Sequence, residues 1–141
     1  MSLSKQEKDE IKSRLDRIHN TVHLQCDGYL VSARLGRISK TKLAIIVYVD
    51  GRFKGKWLNT TNSPEEGKRF FPLHKKRAIT RKDAKLLKMK DDECFYYYRQ
   101  PCFSTPNVFV NHICKHNDDI RLIDYDEYSR LLAKKVEGNA H

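Results

Sequence analysis

No run of about eighteen apolar residues occurs anywhere in the 141 residues, and the opening MSLSKQEKDE lacks the apolar segment of a secretory signal. The expectation is a soluble, cytoplasmic protein without a membrane partner. Cysteine is scarce as well. Cys26, Cys94, Cys102 and Cys114 stand far apart with no CxxC pair, which removes the usual redox motif and the usual zinc ribbon and leaves free, mostly buried thiols as the expected state. The signatures of the commonest catalytic machines are missing too: the chain has no GxSxG elbow, P-loop, HExxH helix or dinucleotide fingerprint. A metal-dependent nuclease would need several acids converging near a lysine. The nearest approximation is Asp91, Asp92 and Glu93, and a charged turn ahead of a strand accounts for them more simply. The reading is therefore of a non-enzymatic protein with no cofactor.

Charge is abundant. Lys and Arg number 28 against 18 Asp and Glu, for a net charge of +10, and 33% of residues are charged. Seven Tyr, six Phe and one Trp nevertheless argue against a disordered chain. At 16.6 kDa the chain suits one domain, able to bury roughly two-thirds of the surface its unfolded form exposes. The excess charge is concentrated: residues 1–26 carry +1, residues 27–90 carry +12 and residues 91–141 carry −3. Residues 68–90 alone hold ten Lys or Arg and one acid, Asp83.

Hydrophobic periodicity supplies the elements. Ile11, Leu15, Ile18 and Val22 recur at helical spacing and predict an amphipathic N-terminal helix over residues 4–23, within an N-terminal segment 1–25. His19 and His23 border that stripe one turn apart. A half-buried structural pair is the expected reading, because nothing nearby completes a metal-ligand set.

Asp27 and Gly28 then open a strand over 29–35, and the apolar run 43–49 makes a second. Asp50 and Gly51 form a two-residue turn tolerant of positive φ, and 52–58 alternates between cationic and apolar or small residues. The result is a predicted meander over 27–58, with Arg52, Lys54 and Lys56 on the outer face of its third strand. Residues 63–90 read as a basic helical segment. It holds a short helix started by Ser63 and Pro64 and ended by Pro72, and a second over 81–89 with Thr80 and Asp83 as capping pair. In that second helix Ala84, Leu86, Leu87 and Met89 form the docking stripe.

Residues 94–136 read as mixed: an aromatic strand over 94–99, a helix from Thr105 and Pro106 to about 115 for which Val108, Phe109 and Val110 are equally good strand material, a short strand over 120–123 and a helix over 126–136 capped at Gly138. The fold class is α+β, an antiparallel β-meander of three or more strands packed against about four helices in a single domain.

Cations about every 7 Å along a strand match the repeat of an extended polyanion. The candidate nucleic-acid-binding set is Arg52, Lys54, Lys56, Lys75, Lys76, Arg77, Arg81, Lys82, Lys85 and Lys88, with DNA or RNA as partner. On a duplex, six neutralised phosphates would give a log–log salt slope of roughly −5. Tyr96, Tyr97 and Tyr98 could stack on bases if exposed, although packing of at least one face into a core is the default.

The alternative partner is an acidic or nucleic-acid-binding surface of another protein, met by Trp57, Phe70 and Phe71 beside the cations. Cys94, Cys102, His112 and His116 form a second, less favoured constellation. The two histidines have a workable zinc spacing, but the cysteine spacing is wrong for a knuckle.

Overall fold

The first turn closes in a capping box. The computed structural model describes residues 2–18 and 20–139, and in it Ser4 Oγ accepts the Glu7 N–H at 3.1 Å while Glu7 Oε1 accepts the Ser4 N–H at 3.0 Å. Helix α1 runs Lys5–Leu15 and buries Ile11 and Leu15. It does not continue to residue 23. Thr21–Cys26 is a strand, β1, with Val22, Leu24 and Cys26 buried at a period of two. Val22 therefore fits both a helical and an alternating pattern, and the sheet claims it. His19 lies outside the described residues, and the His23 ring meets Ser32 on the neighbouring strand and stacks on Tyr128.

Strand β1 turns at Asp27 and Gly28, both at positive φ, into β2, Tyr29–Arg37, in a two-residue hairpin. Residues 38–42 lead to β3, Leu43–Val49. These three strands are the meander, displaced by one strand from the expected one. The five-stranded antiparallel sheet has the order β6-β3-β2-β1-β7, where β6 is Cys102–Phe103 and β7 is Ile120–Ile123.

Asp50 and Gly51 do take positive φ, but the return strand expected over 52–58 does not form. Val49 and Arg52 exchange both backbone hydrogen bonds, at 2.9 and 3.0 Å, and pairing stops there. Two forces compete with it. The free edge of β3 is taken by β6, with Ile45 opposite Phe103 and Ile46 opposite Cys102. The chain also coils into a 3₁₀ turn, Gly55–Leu58, that drops Trp57 into the core beside Phe71, with ring centroids 6.0 Å apart. Burying an indole contributes about 2–3 kcal/mol, more than a few edge hydrogen bonds would add. Arg52, Lys54 and Lys56 thus share no strand face.

Helix α2, Glu65–Phe70, follows, with Pro64 rather than Ser63 at its N-cap; Ser63 Oγ donates to the Asn59 carbonyl instead. Helix α4, Pro106–His116, starts as expected, Thr105 Oγ1 accepting the Val108 N–H at 3.2 Å. With α1 and α2 it covers one sheet face, where Phe70, Phe71, Phe103, Phe109 and Ile113 are fully buried. The opposite face is covered by α5, Tyr125–Asn139, whose Tyr128 packs with Leu30 and Ile123. Gly138 lies inside this helix and does not end it. The architecture is a single α+β domain, and among the described residues no helix is long and apolar enough to cross a membrane.

One ionic hub ties the layers together. The Asp27 carboxylate accepts the N–H groups of Asp118 at 2.9 Å and Asp119 at 2.7 Å, and pairs with Arg69, which also reaches Glu65 and Asn117. These hydrogen bonds, the two from backbone first, hold the Asp27 carboxyl below the usual carboxylate range. At the other extreme, burial pushes the Cys26 thiol up to about 12, so it is a neutral packing group.

Candidate functional site

The basic segment is not purely helical. Leu73–Arg77 is a strand, β4, paired antiparallel with β5, Phe95–Arg99, in a separate two-stranded sheet. Its sequence, LHKKR, lacks apolar alternation, so no periodicity announces it. What makes it a strand is its partner FYYYR, whose aromatic rings lie across the ladder. Lys75 faces Tyr97, Lys76 faces Tyr96 and Arg77 faces Phe95. Between the two strands comes α3, Arg81–Leu86, begun by Thr80 Oγ1 accepting the Asp83 N–H at 3.2 Å. It ends earlier than expected, in a Schellman motif. Lys88 takes φ of 55°, the Met89 N–H donates to the Ala84 carbonyl at 2.9 Å, and the Lys88 N–H donates to the Lys85 carbonyl.

Of the expected apolar stripe only Ala84 is buried; Leu86 and Leu87 are 73% and 66% exposed. The β4–α3–β5 unit is a ribbon with a helical turn at its end, and among the described residues its strands pair with no strand of the larger sheet. It is secured at its base, where the Gln100 N–H donates to the Pro72 carbonyl at 3.1 Å. Arg99 Nη1 donates there to the carbonyls of Gly67 at 3.1 Å and Phe71 at 2.8 Å.

Cations and aromatic faces alternate across this ribbon. Lys75 Nζ lies 4.1 Å and Arg77 Cζ 4.6 Å from the Phe95 ring centroid, so two cations share one ring. On the opposite face Tyr98 stacks on His74 at 5.4 Å and leans on Tyr96 at 5.9 Å. Tyr97 is 55% and Tyr96 44% exposed, so these two rings are available at the surface rather than packed into a core. Beside them a hollow of about 520 Å³ is lined by Thr60, Ser63, Leu73, Tyr96, Tyr97 and Arg99.

Seven of the ten expected site residues belong to this unit: Lys75, Lys76 and Arg77 on β4, Arg81, Lys82 and Lys85 on α3, and Lys88 at the helix end. The other three do not join them. Arg52 and Lys54 line a hollow beside α5, in the company of Asp50, Glu66 and Lys135, and Lys56 sits on the 3₁₀ turn. Two acids in that lining weaken its pull on a polyanion.

The proposed zinc constellation does not assemble. Cys94 is buried in the 3₁₀ turn Asp91–Cys94 with its Sγ directed at the Lys90 carbonyl, and Cys102 lies on β6. His112 and His116 do meet on α4, ring centroids 4.3 Å apart. Among the described residues, however, no three His, Cys, Asp or Glu side chains gather as a metal-binding group. Trp57, Phe70 and Phe71, expected as exposed anchors for a protein partner, are buried in the core.

Three histidines carry pH sensitivity. Burial, reinforced by the charge of His116, lowers His112 to about 4; burial lowers His116, helped by Lys115; and burial under α5 lowers His23, whose Nδ1 meets Ser32 Oγ at 3.1 Å. A folded-state pKa below the unfolded value of about 6.5 contributes stability above that pH and loses it as pH falls through the folded value. The midpoint of thermal unfolding should therefore drop steadily from pH 6.5 to about 4, the window His112 sets. It should drop again below the carboxylate range as Asp27 protonates. Replacing His112 with Gln should flatten the first phase, and Asp27→Asn the second. A midpoint that rises on acidification in melts taken at stepped pH would contradict this.

No protein-family model matches the chain, and no curated protein or solved structure shows significant similarity to it.

Proposed function

We propose that this protein binds single-stranded nucleic acid through the β4–β5 ribbon and the cations of α3. The observation that carries the reading is the exposure of Tyr96 and Tyr97 on strand positions directly across from Lys76 and Lys75. Phosphates need cations at the spacing of the strand, and unpaired bases need flat faces between them. A ribbon with both offers both at once. Base stacking on a tyrosine contributes about 1–3 kcal/mol and is tolerant of sequence, so the expected behaviour is broad rather than sequence-selective binding.

The test is a salt titration of a labelled single-stranded oligonucleotide. With about five phosphates engaged, log K should fall against log salt with a slope of about −3.5, and a duplex of equal length should bind more weakly. Failure to bind single strands at low salt would end the proposal. A second reading rests on Leu86 and Leu87, which stand exposed beside a shallow hollow lined by Ala78, Ile79 and Asp83. An acidic partner protein with an apolar contact would fit that end of the unit. Stoichiometric co-purification of one protein that survives nuclease treatment would favour it.

A further inference from the structure

A second hollow lies at the base of the ribbon, and its lining has one sign of charge. It measures about 510 Å³ and is bounded by Lys68, Leu73, Arg99, His112, Lys115 and His116. These residues come from four elements, α2, β4, β5 and α4, so the fold, not one sequence run, brings the cations together. No carboxylate is in the lining.

Arg99 is the informative member. Its Nη1 is committed to two backbone carbonyls, its Nε is buried without a hydrogen-bond partner, and among the described residues it has no acidic partner. A partly buried guanidinium without a counter-ion is costly, and an anion in the adjoining hollow would offset part of that cost. His112 and His116 sit beside it as neutral imidazoles. His112 Nε2 lies 3.2 Å from the Lys68 carbonyl and donates to it.

Leu73 and Arg99 line this hollow and also the aromatic hollow of Tyr96 and Tyr97. The two cavities therefore adjoin across a single cross-strand pair, Leu73 opposite Arg99. One side is flat, aromatic and partly apolar; the other is cationic. That is the complementarity of one nucleotide, a base on the first side and its phosphate on the second.

We infer that the Lys68, Arg99, Lys115 and His116 hollow is a phosphate-binding subsite, which seats one phosphate of the strand while the attached base stacks in the Tyr96–Tyr97 hollow. This rests on the reading of the ribbon as a single-strand binder. It adds a fixed anchor at the ribbon's base, which would set where along a strand the protein stops. A backbone phosphodiester and a terminal phosphate share the chemistry of the site, and the experiment separates them.

The experiment follows the His112 and His116 imidazole signals by NMR while inorganic phosphate is added, with chloride at matched ionic strength as control. The expected result is a saturable shift of both rings with phosphate and not with chloride. The His116 pKa should move upward, since an adjoining anion favours the imidazolium. Lys68→Glu with Lys115→Glu, both exposed positions, should abolish the response, whereas Arg130→Glu with Lys134→Glu, exposed on α5, should leave it intact.

Single-stranded oligonucleotides with and without a terminal phosphate then replace inorganic phosphate. Equal shifts from both assign the subsite to backbone phosphates; shifts from the phosphorylated strand alone assign it to an end. Absence of any saturable response to phosphate or to either strand overturns the subsite, even if the ribbon binds nucleic acid. A phosphate response with no oligonucleotide binding keeps the subsite and overturns the nucleic-acid reading.

Discussion

Reversing three ribbon charges, Lys75→Glu, Lys76→Glu and Lys82→Glu, is expected to lower affinity for a single strand by about a hundredfold at 0.1 M salt. The magnitude follows from counter-ion release: each lost phosphate contact removes about 0.7 from the salt slope, hence about 0.7 log units of affinity at that concentration. All three side chains are exposed, and folding should be nearly unaffected. Among the described residues the reversal gives up the contact of Lys75 with the Phe95 ring, about 0.5–1 kcal/mol.

Tyr97→Ala should weaken binding by a further 1–3 kcal/mol or so and leave the salt slope unchanged, because stacking releases no counter-ions. The two variants thus separate electrostatic from stacking contributions. An affinity of the triple variant within about twofold of wild type would place the site elsewhere.

Gly67→Ala is expected to destabilise the protein markedly, since of the glycines compared its added Cβ would make the closest contact. Helix propensity alone predicts a gain of nearly 1 kcal/mol, since Gly67 lies within α2. Packing reverses the sign. A Cβ at this position would stand 2.1 Å from the Trp57 carbonyl oxygen, a backbone atom that cannot rotate away. Trp57 is itself held by Phe53 and Phe71, so either α2 or the 3₁₀ turn must shift.

Overpacking of this kind costs roughly 1–3 kcal/mol and occasionally more. For a chain of this size the upper end corresponds to a fall of about 10 °C in the unfolding midpoint. The Gly67 carbonyl also anchors Arg99, so the displacement reaches the ribbon's base. Urea denaturation checks this directly. A stability equal to or above wild type would mean that α2 and the turn are not in the contact described.

The parts of the fold legible in the sequence are those with local causes. Thr80 with Asp83 and Thr105 with Pro106 mark helix starts, and Asp50–Gly51 marks a turn, because a capping oxygen or a positive φ is a property of a few adjacent residues. What escaped local reading was decided by partners distant in the chain. The segment 52–58 alternates like a strand, yet the edge it would occupy belongs to Cys102 and Phe103. LHKKR carries no strand signal, and pairing with FYYYR makes it one.

The site followed the same rule. The basic run over 75–88 could be read directly, while the subsite gathers Lys68, Arg99, Lys115 and His116 from separate elements. Of the residues around the two hollows, the sequence singled out Tyr96 and Tyr97 as stacking faces and His112 and His116 only as zinc ligands.

The decisive measurement is a salt titration of one labelled single-stranded oligonucleotide against three proteins: wild type, the Lys75, Lys76 and Lys82 reversal, and the equal-charge reversal of Arg52, Lys54 and Lys56. The ribbon account predicts a slope of about −3.5 for wild type, nearly the same slope after reversal of Arg52, Lys54 and Lys56, and about −1.5 for the ribbon variant. Equal loss in both variants would reduce the effect to net charge, and loss confined to the Arg52, Lys54 and Lys56 variant would contradict the account outright.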